Sequence, residues 1–298
     1  MMKEFDNPVL FGRGGGRRIV AADLLGDDQI AVYTRAADGR STGCERVPLR
    51  PFLWATEKIE RPGVEARRLD GGLHYQWLAV CDGWRAFNDL RKSLRAGRVD
   101  HFALTDPVQQ HLLQSGDTHF TELEVEELRR LQLDIETYCD PRFEFPSAER
   151  ESDHILAIAL SDNSGWEEFL PVGHDDWKRG EKAALRRLGE IIHERDPDVI
   201  EGHNIFRFDL DYIHRRARRH RVKLDWGRDG SRLSVRASRL QIAERTIAYP
   251  RADVHGRHIV DTYLLAQFYD VGSRALEGFG LKEVARHFGV AGGDGDDR

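Results

Sequence analysis

Residues 196–209, DPDVIEGHNIFRFD, decide the fold of the second half of the chain. Within them, Val199 and Ile200 make residues 198–201 typical of a buried strand, and a turn signal follows. The apolar spacing over residues 205–221 then predicts a helix. Asn204 is expected to cap that helix, because asparagine side chains accept hydrogen bonds from the exposed amides of a helix start. This arrangement would place Asp209 one turn into the helix.

Strand and helix patterns continue on both sides of this stretch. Before it lie three strand-like runs and a long amphipathic helix, and after it a strand leads into two further helices. The predicted strands are 128–136, 154–161, 166–172 (an edge strand) and 258–261, and the predicted helices are 176–194, 262–269 and 281–288. Consecutive strands followed by alternating helices and strands predict an α/β (α+β) fold, in which helices flank a mixed sheet.

The first third of the chain has a different pattern of apolar residues. Short alternating runs at 18–21, 29–33 and 74–80 predict strands, and residues 83–94 carry apolar side chains at helical spacing. We therefore expect a β-rich domain over residues 1–125 and a second domain over residues 126–298.

Bulk properties restrict the function. The formal net charge of −6 argues against a protein that binds duplex nucleic acid through its overall charge alone. The cysteines Cys44, Cys81 and Cys139 form no CxxC pair, so neither a zinc knuckle nor a disulfide framework is predicted. No apolar run is long enough to cross a membrane, and residues 1–18 do not have the pattern of a signal peptide. The sequence therefore predicts a cytoplasmic protein.

Two carboxylates stand at the end of a predicted strand. Asp134 and Glu136 flank Ile135, and strand alternation puts both on the face opposite Ile135. Carboxylates this close repel each other, so the pattern is typical either of a solvated strand end or of a site for a divalent cation. Asp209 stands between the apolar residues Phe208 and Leu210, which makes a purely solvated role unfavourable there.

These residues carry a family resemblance. LQLDIET at 131–137 resembles the first exonuclease motif of family B DNA polymerases, and HNIFRFD at 203–209 resembles the second, of the form N-x-x-x-[FY]-D. The segment before the first motif is similar to the one that joins the amino-terminal domain of these polymerases to their exonuclease. The likeness covers nearly the whole chain.

The resemblance implies a 3′–5′ exonuclease of the DEDD type on a ribonuclease-H-like fold, acting on the 3′ end of single-stranded DNA. Asp134, Glu136 and Asp209 would be catalytic residues that bind two Mg²⁺ or Mn²⁺ ions ~4 Å apart. Asp261, at the end of a predicted strand, is expected to support the cation ligands, with direct binding of a cation as the alternative. The residues that would contact DNA are Thr137, Asn204 and Phe208.

The third motif of the family, Y-x-x-x-D, was not found after residue 261. Residues 249–253 have the spacing but contain a proline and precede the strand at 258–261, so we expect a loop there. The chain as given is therefore expected to be weak or inactive. In the complete protein the activity would be proofreading during DNA replication or repair, with a polymerase domain downstream.

The sequence is also compatible with two other functions. One is a stand-alone DEDD exonuclease, against which the β-rich first third argues. The other is a non-catalytic module that binds single strands or has a structural role. The basic stretch 214–221 is interpreted as a solvated helix face, with phosphate contact as the alternative.

Overall fold

A computed structural model describes residues 14–39, 41–173 and 175–290. The chain divides into two units between Glu127 and Leu128. The prediction that no signal peptide is present was made on residues 1–18. Residues 1–13 of that segment lie outside the described residues. Across the three described ranges, no helix is both long and apolar enough to span a membrane.

The first unit is rich in antiparallel strands, as predicted. One sheet has the order β1-β2-β3 and another the order β5-β6-β4-β7. The strands are β1 (Ile19–Leu25), β2 (Gln29–Arg35), β3 (Thr42–Pro48), β4 (Phe52–Ala55), β5 (Val64–Arg68), β6 (Trp77–Cys81) and β7 (His101–Phe102), and the helices are α1 (Trp84–Ala96) and α2 (Pro107–Ser115).

Helix α1 packs on the second of these sheets. Its residues Phe87, Leu90 and Leu94, at spacings of three and four, are buried in one cluster with Leu53 and Cys81 of the sheet. The predicted helix over 83–94 is confirmed. Helix α2 was not predicted, although Asp106 accepts a hydrogen bond from the Gln109 amide at its start and proline occupies its first position.

The second unit is built on a five-stranded mixed sheet with the order β10-β9-β8-β11-β14. Its strands are β8 (Arg130–Thr137), β9 (Ile155–Asp162), β10 (Glu167–Pro171), β11 (Val199–Gly202), β12 (Ser234–Ile242), β13 (Arg245–Asp253) and β14 (His258–Asp261), and its helices are α3 (Trp177–Arg195), α4 (Asp209–His220), α5 (Thr262–Ser273) and α6 (Leu281–His287). Strand β10 is an edge strand, as expected. The predicted mixed sheet with helices is confirmed.

Alternation along β8 separates the core from the carboxylates. Leu131, Leu133 and Ile135 are buried in a cluster that includes residues of α3 and α4, whereas Asp134 and Glu136 are exposed on the other face. The prediction that both carboxylates lie opposite Ile135 is therefore confirmed.

Helix α4 starts later than predicted, which corrects the expectation for Asn204. The helix begins at Asp209 rather than at residue 205, and its N-cap residue is Phe208. Asn204 does not cap the helix; its backbone is left-handed, with a φ of 63°. Asp209 is thus the first helical residue instead of lying one turn inside.

A long antiparallel hairpin, β12–β13, corrects the expectation of a loop at 249–253. Its register pairs Ala237 with Pro250 and Ser234 with Asp253. The hairpin has no partner strand among the described residues, so the missing amide of Pro250 interrupts no wider ladder.

Candidate active site

Three parallel strands of the mixed sheet end at one edge. Strands β8 and β14 both pair with β11 in parallel, with Glu201 opposite Gln132 and Gly202 opposite Asp261. The carboxyl ends of parallel strands bring distant parts of a sequence together, and open α/β sheets bind ligands there. The predicted acidic residues come to this edge from three different segments.

Asp209 is fixed against the strand that carries the other carboxylates. Its side chain is only 1% exposed, and its Oδ1 atom accepts a hydrogen bond from the Ile135 amide at 3.1 Å. Ile135 stands between Asp134 and Glu136 in the sequence. The first turn of α4 is therefore held directly beside the end of β8.

Asp209 and Asp134 interact electrostatically. Burial, followed by the charge of Asp134, raises the pKa of Asp209 to about 7, and the charge of Asp261 acts in the same direction. Burial also raises the pKa of Asp134. Two carboxylates in these surroundings disfavour each other's ionised form.

In the described part of the chain, no protein cation balances this pair of carboxylates. Among the described residues, no lysine, arginine or histidine side chain forms an ion pair with Asp134 or Asp209. Carboxylate oxygens are the ligands that Mg²⁺ and similar hard cations prefer. The donor chemistry of the pair therefore fits a divalent metal ion.

Glu136 does not join the pair in this structure. It is exposed, one position before an irregularity in the pairing of β8 with β9. Within the described parts of the chain, no group of three or more His, Cys, Asp or Glu side chains is arranged to hold a metal ion. The structure thus brings Asp134 and Asp209 together and leaves Glu136 exposed on the face of β8 that carries Asp134.

Asp261 organises the turn that leads to α4. Its Oδ1 atom accepts hydrogen bonds from the amides of Asn204 at 2.9 Å and Tyr263 at 3.0 Å. Its Oδ2 atom accepts one from the Phe206 amide at 3.3 Å. Asp261 is therefore both the N-cap of α5 and the acceptor that shapes the left-handed turn at Asn204.

Gly202 and His203 complete this turn. A Cβ atom on Gly202 would lie 2.8 Å from the carbonyl oxygen of Leu133, which is closer than packing permits. The His203 ring lies 3.0 Å from the Thr262 hydroxyl through Nδ1 and 2.8 Å from the Phe279 carbonyl oxygen through Nε2. The turn is thus tied to β8 on one side and to the α5–α6 segment on the other.

The predicted DNA-contacting residues are partly accessible at the same edge. Thr137, Asn204 and Phe208 are each half-buried. The Phe208 ring lies 5.6 Å from the ring of Tyr212, one turn further along α4. After β8, the Phe143 and Phe145 rings are 47% and 70% exposed, and the Arg150 guanidinium sits 3.9 Å from the Phe143 ring centre.

A groove of about 760 Å³ begins at Asp134 and continues over the exposed face of the sheet. Ala159 lines it from β9 and Phe169 from the edge strand β10, while Glu201 and Thr262 line it from β11 and α5. One of the two coupled carboxylates is therefore accessible from a cavity large enough for a small organic ligand.

Comparison with known proteins matches part of the second unit to a protein family. A model described as "DNA polymerase family B, exonuclease domain" matches residues 177–283. This part of the chain is similar to the exonuclease domain of family B DNA polymerases. The matched exonuclease region includes Asp209 and Asp261, whereas Asp134 and Glu136 precede it.

Curated relatives of the exonuclease region are named DNA polymerase. One from Archaeoglobus fulgidus is 32% identical over 123 residues, which are 41% of this chain and 14% of the relative. One from Pyrococcus glycovorans is 34% identical over 111 residues, or 36% of this chain and 14% of the relative. One from Thermococcus litoralis is 33% identical over 109 residues, or 35% of this chain and 6% of the relative. The matched segments thus span only a small part of these relatives.

Sequence reasoning missed two contributions to the exonuclease region. No role was predicted for His203, yet both of its ring nitrogens contact the α5–α6 segment. The binding of two turn amides by Asp261 was not foreseen either. The available signal was that Asp261 comes immediately before a predicted helix, which is a common position for a capping carboxylate.

Proposed function

We propose that this chain carries a metal-dependent 3′–5′ exonuclease activity that hydrolyses the terminal phosphodiester bond of single-stranded DNA. The observation that carries the proposal is the pair Asp134 and Asp209. Asp209 is buried and Asp134 is exposed, and among the described residues neither forms an ion pair with a protein cation. Both belong to the unit whose residues 177–283 match the exonuclease domain of family B DNA polymerases. Two Mg²⁺ or Mn²⁺ ions are the proposed cofactors.

The proposed chemistry assigns a role to each carboxylate. Asp134 and Asp209 hold the cations, and Glu136 supplies a third carboxylate from the same face of β8 as Asp134. The Ile135 amide keeps Asp209 oriented through its 3.1 Å hydrogen bond. Bound divalent cations lower the pKa of an attacking water and stabilise the leaving oxygen in such sites.

The strand end is bound by groups around the turn and after β8. Phe208 offers a ring surface, and Asn204 and Thr137 offer polar groups at the same edge. The exposed rings of Phe143 and Phe145 are suited to stack on unpaired bases. Stacking of this kind does not depend on the identity of the base, and an enzyme that removes mismatched 3′ ends must accept every base.

Several wider assignments belong to the same proposal. The first unit would be the amino-terminal domain of a polymerase, and a polymerase domain would follow the exonuclease in the full-length protein. Its activity would be proofreading in replication or repair. A cytoplasmic location is consistent with such a role.

Calorimetry with Mn²⁺ tests the proposed metal site directly. We expect the chain to bind Mn²⁺ and Asp134→Ala to abolish most of this binding, because removal of one carboxylate leaves an incomplete ligand set. Asp225→Ala is the matched control, since Asp225 is paired with Arg232 at 3.3 Å and has no role in the proposed site. Equal Mn²⁺ binding by the chain and Asp134→Ala would contradict the proposal.

Degradation of a 5′-labelled single strand tests the reaction. The expected result is slow, Mn²⁺-dependent shortening from the 3′ end that both Asp134→Ala and Asp209→Ala reduce to background. Binding of single strands without metal binding or shortening would instead favour the non-catalytic module.

A further inference from the structure

Four exposed cations lie at the end of α4 that is remote from Asp209. Arg218 and Arg219 occupy the last turn of the helix, and Arg221 and Lys223 follow it. We call these four residues the basic end of α4. They are concentrated within six positions of a chain whose net charge is −6.

Carboxylates interact with the basic end of α4 only at a distance among the described residues. The charges of Arg218 and Arg219 act on Glu149, and that of Arg219 also acts on Glu151. Among the described residues, none of its four side chains forms an ion pair with an acidic side chain, and the guanidinium of Arg219 donates to the Glu149 carbonyl oxygen at 2.8 Å. Arg215, earlier on the same helix, behaves differently. It pairs with Asp211 and with Glu149, at 2.7 Å each.

Helix stability does not account for this cluster. Cations in a last helical turn interact favourably with the helix dipole, which explains part of the preference for Arg218 and Arg219. Like charges three or four positions apart on a helix repel each other by roughly 0.2–0.5 kcal/mol a pair, and Arg215, Arg218 and Arg219 are spaced in this way. Arg221 and Lys223 lie beyond the last turn and add further repulsion.

The cluster is held on a rigid support. Arg216, two positions before Arg218, is completely buried and binds Glu181 of α3 through two hydrogen bonds of 2.7 and 2.6 Å. The His220 ring contacts the same carboxylate at 2.5 Å. The helix backbone that carries the exposed cations is therefore fixed before any ligand arrives, so binding needs to order only their side chains.

We propose that the basic end of α4 binds the phosphate backbone of DNA at a position separate from the carboxylates. Nine residues separate Asp209 from Arg218, which corresponds to about 14 Å along the helix. One rigid helix would thus present a carboxylate at its start and a phosphate-binding surface at its end. The choice of DNA as the polyanion rests on the proposed function.

Metal-free DNA binding tests this surface. The test variant is Arg218→Gln/Arg221→Gln/Lys223→Gln, whose three side chains make no hydrogen bond or ion pair among the described residues. The matched control is Arg274→Gln/Lys282→Gln/Arg286→Gln, which makes the same charge change on the exposed surface of α5 and α6. Both are compared with the unaltered chain in EDTA by fluorescence anisotropy of oligo-dT of about 20 nucleotides, longer than the ~4–16 nucleotides that one single-strand-binding fold covers.

Each neutralised phosphate contact changes the dependence of affinity on salt. For single strands the slope of log K against log salt changes by about 0.7 per contact, so the test variant should lose about two units of slope and bind on the order of a few hundredfold more weakly at about 50 mM salt. The control variant should retain the original slope.

Equal losses in the test and control variants would overturn the proposal, because they would reflect net charge alone. No loss in the test variant would also overturn it. If the test variant loses binding to polyglutamate but retains binding to DNA, the surface binds an acidic polypeptide, and this result would also overturn the proposal. Because no metal is present, the result does not depend on whether Asp134 and Asp209 support hydrolysis.

Discussion

Asp209 makes the stability of the second unit depend on pH. Its folded-state pKa, raised to about 7 by burial and by Asp134, lies above the ~3.9 of an unfolded aspartate. The folded state therefore holds the proton more tightly than the unfolded chain does. The resulting stabilisation is complete below pH ~4 and is lost as the pH rises through about 7.

Asp209→Asn should remove this dependence. Between pH 5 and pH 8 in EDTA, we expect the free energy of unfolding of the unaltered chain to fall by roughly 2–3 kcal/mol more than that of the variant. Urea denaturation at both pH values measures the difference. Asp225→Asn, a change at an exposed and paired carboxylate, should behave like the unaltered chain. Identical pH profiles for the chain and Asp209→Asn would show that Asp209 is not the titrating group.

At the scale of elements, a buried ion pair joins α3 to α4. The Glu181 and Arg216 side chains are both fully buried, and Glu181 also accepts a hydrogen bond from the Ile155 amide at 2.9 Å. Burial alone would raise the pKa of Glu181, but hydrogen bonds from Arg216, Ile155 and His220 outweigh it and hold the pKa below its usual value. The pair fixes the helix that delivers Asp209.

Arg216→Met should destabilise the second unit by about 3–5 kcal/mol, because it leaves Glu181 buried without its main counterion. The double variant Glu181→Leu/Arg216→Met should be less destabilised than the sum of its single changes, since no isolated charge remains. Urea denaturation of the two single variants and the double variant gives this comparison. Strict additivity would contradict the interpretation of the pair as a coupled unit.

Local patterns predicted the strands and helices around the carboxylates, but not the turn between β11 and α4. The apolar runs at β9 and β11 and the spacing in α3 are signals within one segment. The start of α4 depends on Asp261, which binds the amides of Asn204 and Phe206 from more than 50 positions away. A capping rule applied to neighbouring residues could not reveal that acceptor.

The hairpin β12–β13 was missed for a different reason. Val235 and Leu240 of β12 pack on the core of the second unit, but they are five positions apart and are only partly buried. The regular apolar alternation by which strands are recognised is therefore interrupted. Pro250 further argued against a strand. Convergence of Asp134 with Asp209 was predictable from the motifs, and the exposed position of Glu136 follows from the alternation along β8.

At the scale of the whole molecule, each unit contains its own hydrophobic clusters. Phe87 and Leu90 belong to a cluster of the first unit, and Leu188 and Ile192 to that of the second. Cys81 is buried in the first unit, and burial raises the pKa of its thiol to about 11. Its thiol should therefore be unreactive at pH 8 until the first unit opens.

Core substitutions test whether the units unfold separately. Leu188→Ala should destabilise the second unit by about 2–5 kcal/mol and leave the rate of Cys81 alkylation in mild urea unchanged. Leu90→Ala should accelerate that alkylation, which mass spectrometry of the Cys81 peptide can follow. Equal acceleration by both substitutions would show that the chain unfolds as one cooperative unit.

The left-handed backbone of Asn204, with a φ of 63°, restricts which amino acids can replace it. Most side chains lose roughly 1–2 kcal/mol in that conformation, whereas glycine, asparagine and aspartate tolerate it. Alanine scanning at this position would therefore mix backbone strain with the loss of an amide group. Replacement by glycine removes the amide without the strain, so a library at residue 204 is informative mainly among these three amino acids.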